Sequence, residues 1–340
     1  MTRPRSIVRL LPWISALACG CGGNQSVMRP VSEQASQIES LYWIIFWICL
    51  VAFVMTMLAF ARASARSAVH SAEPAPLMED KRGDRRAAVG VGAAIAITFV
   101  SIFAVLVLSV VTGKTVAGLE SKNAITIEVT GHQWWWEIRY PNAQADQTVV
   151  TANEIHVPVG KPVVILTASR DVIHSFWAPN IQGKRDLLPG YQSALWIEVD
   201  KPGRYRGQCA EYCGHQHAHM AFEIVAQSDE QFAQWLAKQR GTALNPTDPT
   251  TQHGRDVFLN HACVMCHTIR GTDAGSKVGP DLTHLASRRM IAAGTLPNTP
   301  GALGGWITDP QTIKPGNKMP PNPMEADDLQ ALISYLQTLQ

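Results

Sequence analysis

A chain of 340 residues is longer than one ordinary domain, so about two or three folded units are expected. A net charge of only +2, with no run of Lys and Arg interleaved with aromatics, argues against nucleic acid as a partner. The seven cysteines fall into the local pairs Cys19/Cys21, Cys209/Cys213 and Cys263/Cys266, with Cys49 alone in an apolar run, a pattern of cofactor sites and not of a disulfide framework.

Residues 1–20 read as a secretory signal peptide, since Arg3, Arg5 and Arg9 precede an apolar stretch too short to span a bilayer. The small residues around Cys19 and Cys21 resemble a bacterial lipoprotein processing site, with Cys21 as the lipidated residue. Residues 21–40 form a periplasmic N-terminal segment. From Leu41 to Phe60 and from Ala87 to Val111 the chain is almost wholly apolar, and each run is long enough to cross the hydrocarbon core. Residues 41–111 are therefore expected to be a two-helix transmembrane hairpin. Arg62, Arg66, Lys81, Arg82, Arg85 and Arg86 lie between the runs, which puts that loop in the cytoplasm and exports everything after Val111.

Residues 124–228 alternate short β-rich runs (124–130, 154–157, 162–168, 193–199 and 221–226) with Gly, Pro, Asn and Asp turns, the pattern of an all-β sandwich or barrel. Within it stand Cys209, Glu211, Cys213, His215, His217, His219 and Met220, with His174 upstream. Thiolates, imidazoles and a thioether are the soft and borderline donors that favour copper over magnesium or calcium. A second cysteine four residues after the first lets both sulfurs bridge two copper ions that share one electron. His174 supplies one terminal imidazole, Met220 one axial donor and the Glu211 carbonyl the other; spacing does not choose among His215, His217 and His219. A disulfide between Cys209 and Cys213 is the competing reading.

The order C-x-E-x-C-x-x-x-H-x-x-M after a distant His, following two apolar helices, resembles the copper-A domain of cytochrome c oxidase subunit II. That resemblance selects His217, implies a cupredoxin-like sandwich, and implies that the Glu211 side chain joins a magnesium site shared with subunit I. It also implies that Lys184 and Asp186 lie in a loop contacting subunit I, and that Trp134, in the run Trp134-Trp135-Trp136, is where electrons enter. Aromatic strand residues also serve as core packing, and at least one of the three is expected to do so.

Residues 229–249 read as a helix opened by a capping box at Ser228 and ending near Gly241, then a linker rich in Thr, Pro, Asn and Asp over 242–252. Residues 250–340 contain Cys263-Val-Met-Cys266-His267, the C-x-x-C-H signature of c-type haem attachment. Two thiols add across the porphyrin vinyl groups and the next residue ligates the iron. Lys318-Met319-Pro320 resembles the distal methionine loop of class I cytochromes c, giving Met319 as the sixth ligand, with Met324 as fallback. Gly254 and Phe258 on a first helix, and Leu329, Leu332, Ile333, Tyr335 and Leu336 as a stripe on the last, fit a small all-α cytochrome c domain.

The family resemblance implies subunit II of a haem-copper cytochrome c oxidase in the bacterial inner membrane, with both soluble domains on the periplasmic face. Cytochrome c is then the donor, subunits I and III are partners, and the chain holds one copper-A centre of two ions and one covalent haem c. Electrons pass to subunit I, where oxygen is reduced to water with proton translocation; this chain holds no catalytic residue of its own. The alternatives are the input subunit of a copper-A nitric oxide reductase and a copper chaperone. Many family members carry a Glu near the cytoplasmic end of the second helix, whereas residues 85–94 here have no acidic side chain, so the resemblance does not extend to a proton-uptake role there.

Overall fold

The computed structural model describes residues 23–69, 81–118 and 124–340. The expected signal peptide, the Cys21 lipidation site and the centre of the loop between the apolar runs lie outside the described residues.

Two helices of 37 residues each, α1 (Glu33–Val69) and α2 (Lys81–Ala117), contain the apolar runs and extend them by polar turns at both ends. Both are long and apolar enough to cross a membrane, and their apolar spans are not buried within the protein. A helix that is apolar all round, as Phe53, Phe60, Phe99 and Phe103 make these, needs a nonpolar medium around it.

The next unit is a β-sandwich. One sheet has the order β3-β2-β1-β5-β8, from β1 (Ile125–His132), β2 (Trp135–Tyr140), β3 (Val149–Ala152), β5 (Val163–Ser169) and β8 (Ser193–Ile197). The other has the order β4-β10-β9-β6-β7, from β4 (Glu154–Pro158), β6 (His174–Trp177), β7 (Arg185–Leu187), β9 (Gly203–Cys209) and β10 (Ala221–Gln227). Alternation along β1 and β5 turns Ile127, Val129, Val163 and Ile165 inward. Trp136 sits at the centre of the core with no exposed surface, edge-on to Phe176 and Phe222 at 6.1 and 5.3 Å between ring centroids. It is the fully buried aromatic of the three-Trp run, and Trp134 packs against the same core from its edge. The chain before α1 also belongs to this sandwich, because Val31 N donates to Asn180 O, Asp200 N donates to Val31 O, and Val31 is buried in the core.

Helix α3 (Asp229–Arg240) begins at Ser228 with the expected capping box and stops before Gly241. It packs Phe232, Trp235 and Leu236 on the sandwich core. The cytochrome-like unit follows as α4 (Pro249–Asn260), α5 (Pro300–Thr308), α6 (Pro310–Ile313) and α7 (Ala326–Leu336), with a two-stranded ribbon of β11 (Met290–Ile291) and β12 (Leu296–Pro297). Residues 249–252, expected as linker, are instead the first turn of α4: Asp248 accepts from Thr251 N and Pro249 starts the helix, where a missing N–H costs nothing. Helices α4 and α7 touch at Gly254, where a Cβ would lie 1.9 Å from the Ala331 carbonyl oxygen. Leu332, Ile333, Tyr335 and Leu336 are buried, as their stripe requires.

Candidate metal centres

The pairing of Phe176 with Cys209 brings the start of β6 beside the end of β9, so His174 and Cys209 meet although 35 residues separate them. Gly131 on β1 leaves room for the imidazole, since a Cβ there would lie 2.7 Å from the His174 ring. The loop after β9 folds back and returns Cys213, His217 and Met220 to the same place. Cys209 Sγ lies 3.8 Å from His174 Nδ1, 3.2 Å from the Glu211 carbonyl oxygen and 3.8 Å from Cys213 Sγ. Cys213 Sγ lies 3.6 Å from His217 Nδ1 and 3.9 Å from Met220 Sδ. The donor atoms of His174, Cys209 and Cys213 all lie within 4.8 Å of one another, and all three residues are buried. A disulfide would need the sulfurs about 2.0 Å apart, so the two cysteines are free thiols. Among the neighbouring histidines the geometry brings in His217; His215 and His219 are exposed, and His219 is held by Gln216.

The electrostatics favour an anionic ligand. Donation from the Cys213 thiol holds Cys209 well below the ordinary thiol range; burial opposes this and His174 assists it. A thiolate is the form that ligates metal. His174 is oriented from behind by Asp171, whose Oδ1 lies 2.9 Å from Nε2 and whose Oδ2 accepts from Gln133 N at 2.8 Å. Asp171 was not among the expected site residues, although its position three residues before His174 is the one available signal. Glu211 faces two ways: its carbonyl points to the thiols, while its carboxylate lies 3.4 Å from Lys184 Nζ, which also lies 3.5 Å from Asp186.

Of the tryptophans, Trp135 stacks on His132 at 4.3 Å, and Trp134 lies against the metal loop, its Nε1 donating to the Cys213 carbonyl at 2.9 Å. Gln133 Nε2 donates to that same carbonyl at 2.8 Å.

In the C-terminal unit, Cys263 and Cys266 lie on one tight turn, with His267 N donating to Cys263 O at 3.0 Å. His267 Nδ1 is 2.7 Å from the Pro280 carbonyl, so Nδ1 carries the proton and Nε2 keeps its lone pair. Burial lowers the pKa of this imidazole and keeps it neutral, as a ligand must be. The Met319 loop is closed by Asn317, whose Oδ1 accepts from Met319 N, and by Gln311, whose Nε2 donates to the Asn317 and Met319 carbonyls. Met324 packs against the helical core. His253, His261 and His284 are engaged with Asp328, the Val257 carbonyl and the Gln340 carbonyl.

Residues 125–228 match the family described as cytochrome c oxidase subunit II, periplasmic domain, and residues 251–340 match the cytochrome c family. The chain is similar to cytochrome c oxidase subunit 2 of Alkalihalophilus pseudofirmus, 39% identical over 64% of this chain and 62% of that protein. It is also similar to cytochrome c oxidase subunit 2 of Bacillus sp. strain PS3, 33% identical over 64% of this chain and 63% of that one. It thus spans less than two thirds of the length of these relatives. The periplasmic domain of subunit II of cytochrome oxidase from Bradyrhizobium japonicum aligns over 36% of this chain and 97% of its own at 31% identity, with a TM-score of 0.34. The first family implies a copper-A centre and the second a haem, and the soft donors around Cys209 and the thiol pair beside a neutral His267 fit those groups. Residues 125–228 thus carry a cytochrome c oxidase subunit II periplasmic domain and residues 251–340 a cytochrome c domain, joined in one chain.

Proposed function

We propose that this chain is the electron-input subunit of a haem-copper cytochrome c oxidase, receiving electrons from a cytochrome c donor and delivering them to subunit I for reduction of oxygen to water coupled to proton translocation. The observation that carries this is the convergence of two free thiols, two imidazoles, a thioether and a carbonyl on one buried point, in the same chain as a C-x-x-C-H turn. His174, Cys209, Glu211 (through its carbonyl), Cys213, His217 and Met220 would hold two copper ions. Cys263 and Cys266 would bind one haem c, and His267 and Met319 are the residues that would ligate its iron. Bound there, the two groups would supply one-electron carriers.

The protein's own residues supply position and exclude water. Asp171 fixes the His174 ring, and Pro280 fixes the His267 tautomer. Trp134, hydrogen-bonded to the Cys213 carbonyl, offers an aromatic surface next to the copper loop and is the electron-input residue. The Glu211 carboxylate, turned away from the thiols, is available to a magnesium ion shared with subunit I. Subunit III and the inner membrane complete the assembly, with both soluble domains on the periplasmic face.

The test is an absorption and electron paramagnetic resonance study of the membrane-extracted complex. Wild type is expected to show a haem c band together with a mixed-valence copper signal, and Cys209→Ser is expected to lose the copper signal and oxygen consumption while keeping the haem c band. A copper signal that survives Cys209→Ser, or a complex that turns over nitric oxide and not oxygen, overturns the reading.

A further inference from the structure

The cytochrome domain and the sandwich meet at a patch centred on one buried lysine. Lys314 is only 3% exposed, although lysine is among the side chains least often buried without a partner. Its Nζ donates to the Trp134 carbonyl at 2.7 Å and to the Ala292 carbonyl at 3.3 Å, one on each side of the interface. Around it, Gln216 Nε2 donates to the Pro315 carbonyl at 2.8 Å and Ala221 N donates to the Ala293 carbonyl at 3.0 Å. At the rim the Arg289 guanidinium pairs with Glu223, and Lys318 lies 3.5 Å from Asp171.

Two further observations mark this patch as built. Ala292 and Ala293 both stand at positive φ, 52° and 57°, in the left-handed region that non-glycine residues occupy only where their surroundings fix them. Their carbonyls are the ones that accept from Lys314 and from Ala221. The loop bearing Met319 is tied to the same lysine, because the Lys314 carbonyl accepts from Asn317 Nδ2 at 2.7 Å and Asn317 in turn accepts from Met319 N at 2.8 Å.

We infer that Lys314 is a positioning residue that seats the Met319 loop on the Trp134 backbone and holds the cytochrome domain docked beside the copper loop in one fixed geometry. The docking surface around Trp134 is thereby filled by the chain's own domain, and an external donor meets the cytochrome domain instead. This rests on the function proposed above. The transfer it serves is one electron lost at the haem iron and gained by the copper pair, with no bond made or broken and no proton moved.

The test compares Lys314→Met with wild type in the assembled, cofactor-loaded complex. Methionine keeps the length and apolar body of the side chain but removes the Lys314 donor from the Trp134 carbonyl and leaves the Ala292 carbonyl with only Thr295 Oγ1. Hydrogen exchange at the Ala221 amide, whose acceptor lies across the interface, is expected to quicken by roughly tenfold to a hundredfold. The internal haem-to-copper transfer rate after flash reduction is expected to fall at least about tenfold, with the haem c band and copper signal unchanged. Unchanged exchange at Ala221 and an unchanged internal rate, with both spectra intact, overturn the inference. Should Lys314→Met fail to assemble, Lys314→Gln, which keeps a donor of shorter reach, is expected to quicken exchange at the Ala221 amide by roughly threefold to tenfold over wild type; exchange equal to wild type again overturns it. Absence of a copper or haem signal in wild type would instead count against the proposed function.

Discussion

Asp171 shows how much of the proposed copper site depends on a residue outside its donor set. Its carboxylate holds His174 Nε2 through one oxygen and the Gln133 backbone N–H through the other, so it orients both a ligand and the start of the Trp134 segment. Burial would raise this carboxyl, but the His174 contact and the backbone donors of Gln133 and Val172 outweigh it and leave it below the ordinary carboxylate range. Asp171→Asn keeps the shape and removes the charge. Copper affinity measured by chelator competition is expected to drop by roughly tenfold to a hundredfold, with the near-infrared band shifted but present, as for other residues that orient a ligating histidine. Affinity equal to wild type would show that the ring is held by packing alone. That the cysteines and His174 come together could be anticipated from spacing and donor chemistry, because such a cluster is a short list of residue types. Asp171 could not be, since an Asp in a turn before a strand is ordinary, and its role depends on β6 being drawn against β9 by contacts distant in sequence.

At the scale of elements, the runs that one force dominates were readable. The apolar stretches inside α1 and α2, the alternating strands β1 and β5, the Ser228 capping box and the stripe on α7 each follow from one periodicity. Strands β3 and β7 are short, carry weak alternation and are set by their neighbours in the sheets; β9 alternates through Tyr205, Gly207 and Cys209 but lies outside the expected β-rich runs, and the segment before α1 carries no signal of docking on the sandwich at all. Thr, Pro and Asp at the start of α4 read as turn residues in the sequence, but the same three are also what a helix N-terminus uses. Contact between α4 and α7 depends on one missing side chain. Gly254→Ala would put a methyl group 1.9 Å from the Ala331 carbonyl, too close for any rotamer to relieve, so the helices must separate. The cost is expected to be at least about 3 kcal/mol in thermal or denaturant unfolding of the cytochrome domain, at the upper end for overpacking. A change below about 1 kcal/mol would mean that the two backbones are not in contact.

Across the soluble part of the chain, the domains are joined by more than a tether. Helix α3 buries Phe232 against the sandwich, while past its other end Arg270 of the cytochrome domain donates to the Gln239 and Arg240 carbonyls and Ala243 N donates to the Arg270 carbonyl. The residues before α4 that looked like free linker are thus partly bound on the cytochrome side, and Lys314 binds the opposite end of the patch. A flexible connection would behave differently from this double attachment when lengthened, because the effective concentration of a tethered domain falls as the tether grows. Inserting about ten Gly and Ser residues between Leu244 and Asn245 therefore separates the alternatives. With both attachments present, the internal haem-to-copper rate is expected to stay within about twofold of wild type, since the inserted segment bulges out without moving either domain. With Lys314→Met in the same chain, the insertion is expected to slow the rate further than the substitution does alone, because the interface that remains without the lysine holds the two domains less tightly. A rate that already falls with insert length in the otherwise wild-type chain would mean that the cytochrome domain searches for its contact on each cycle, and that the bonds between Lys314, Trp134 and Ala292 capture one moment of that search.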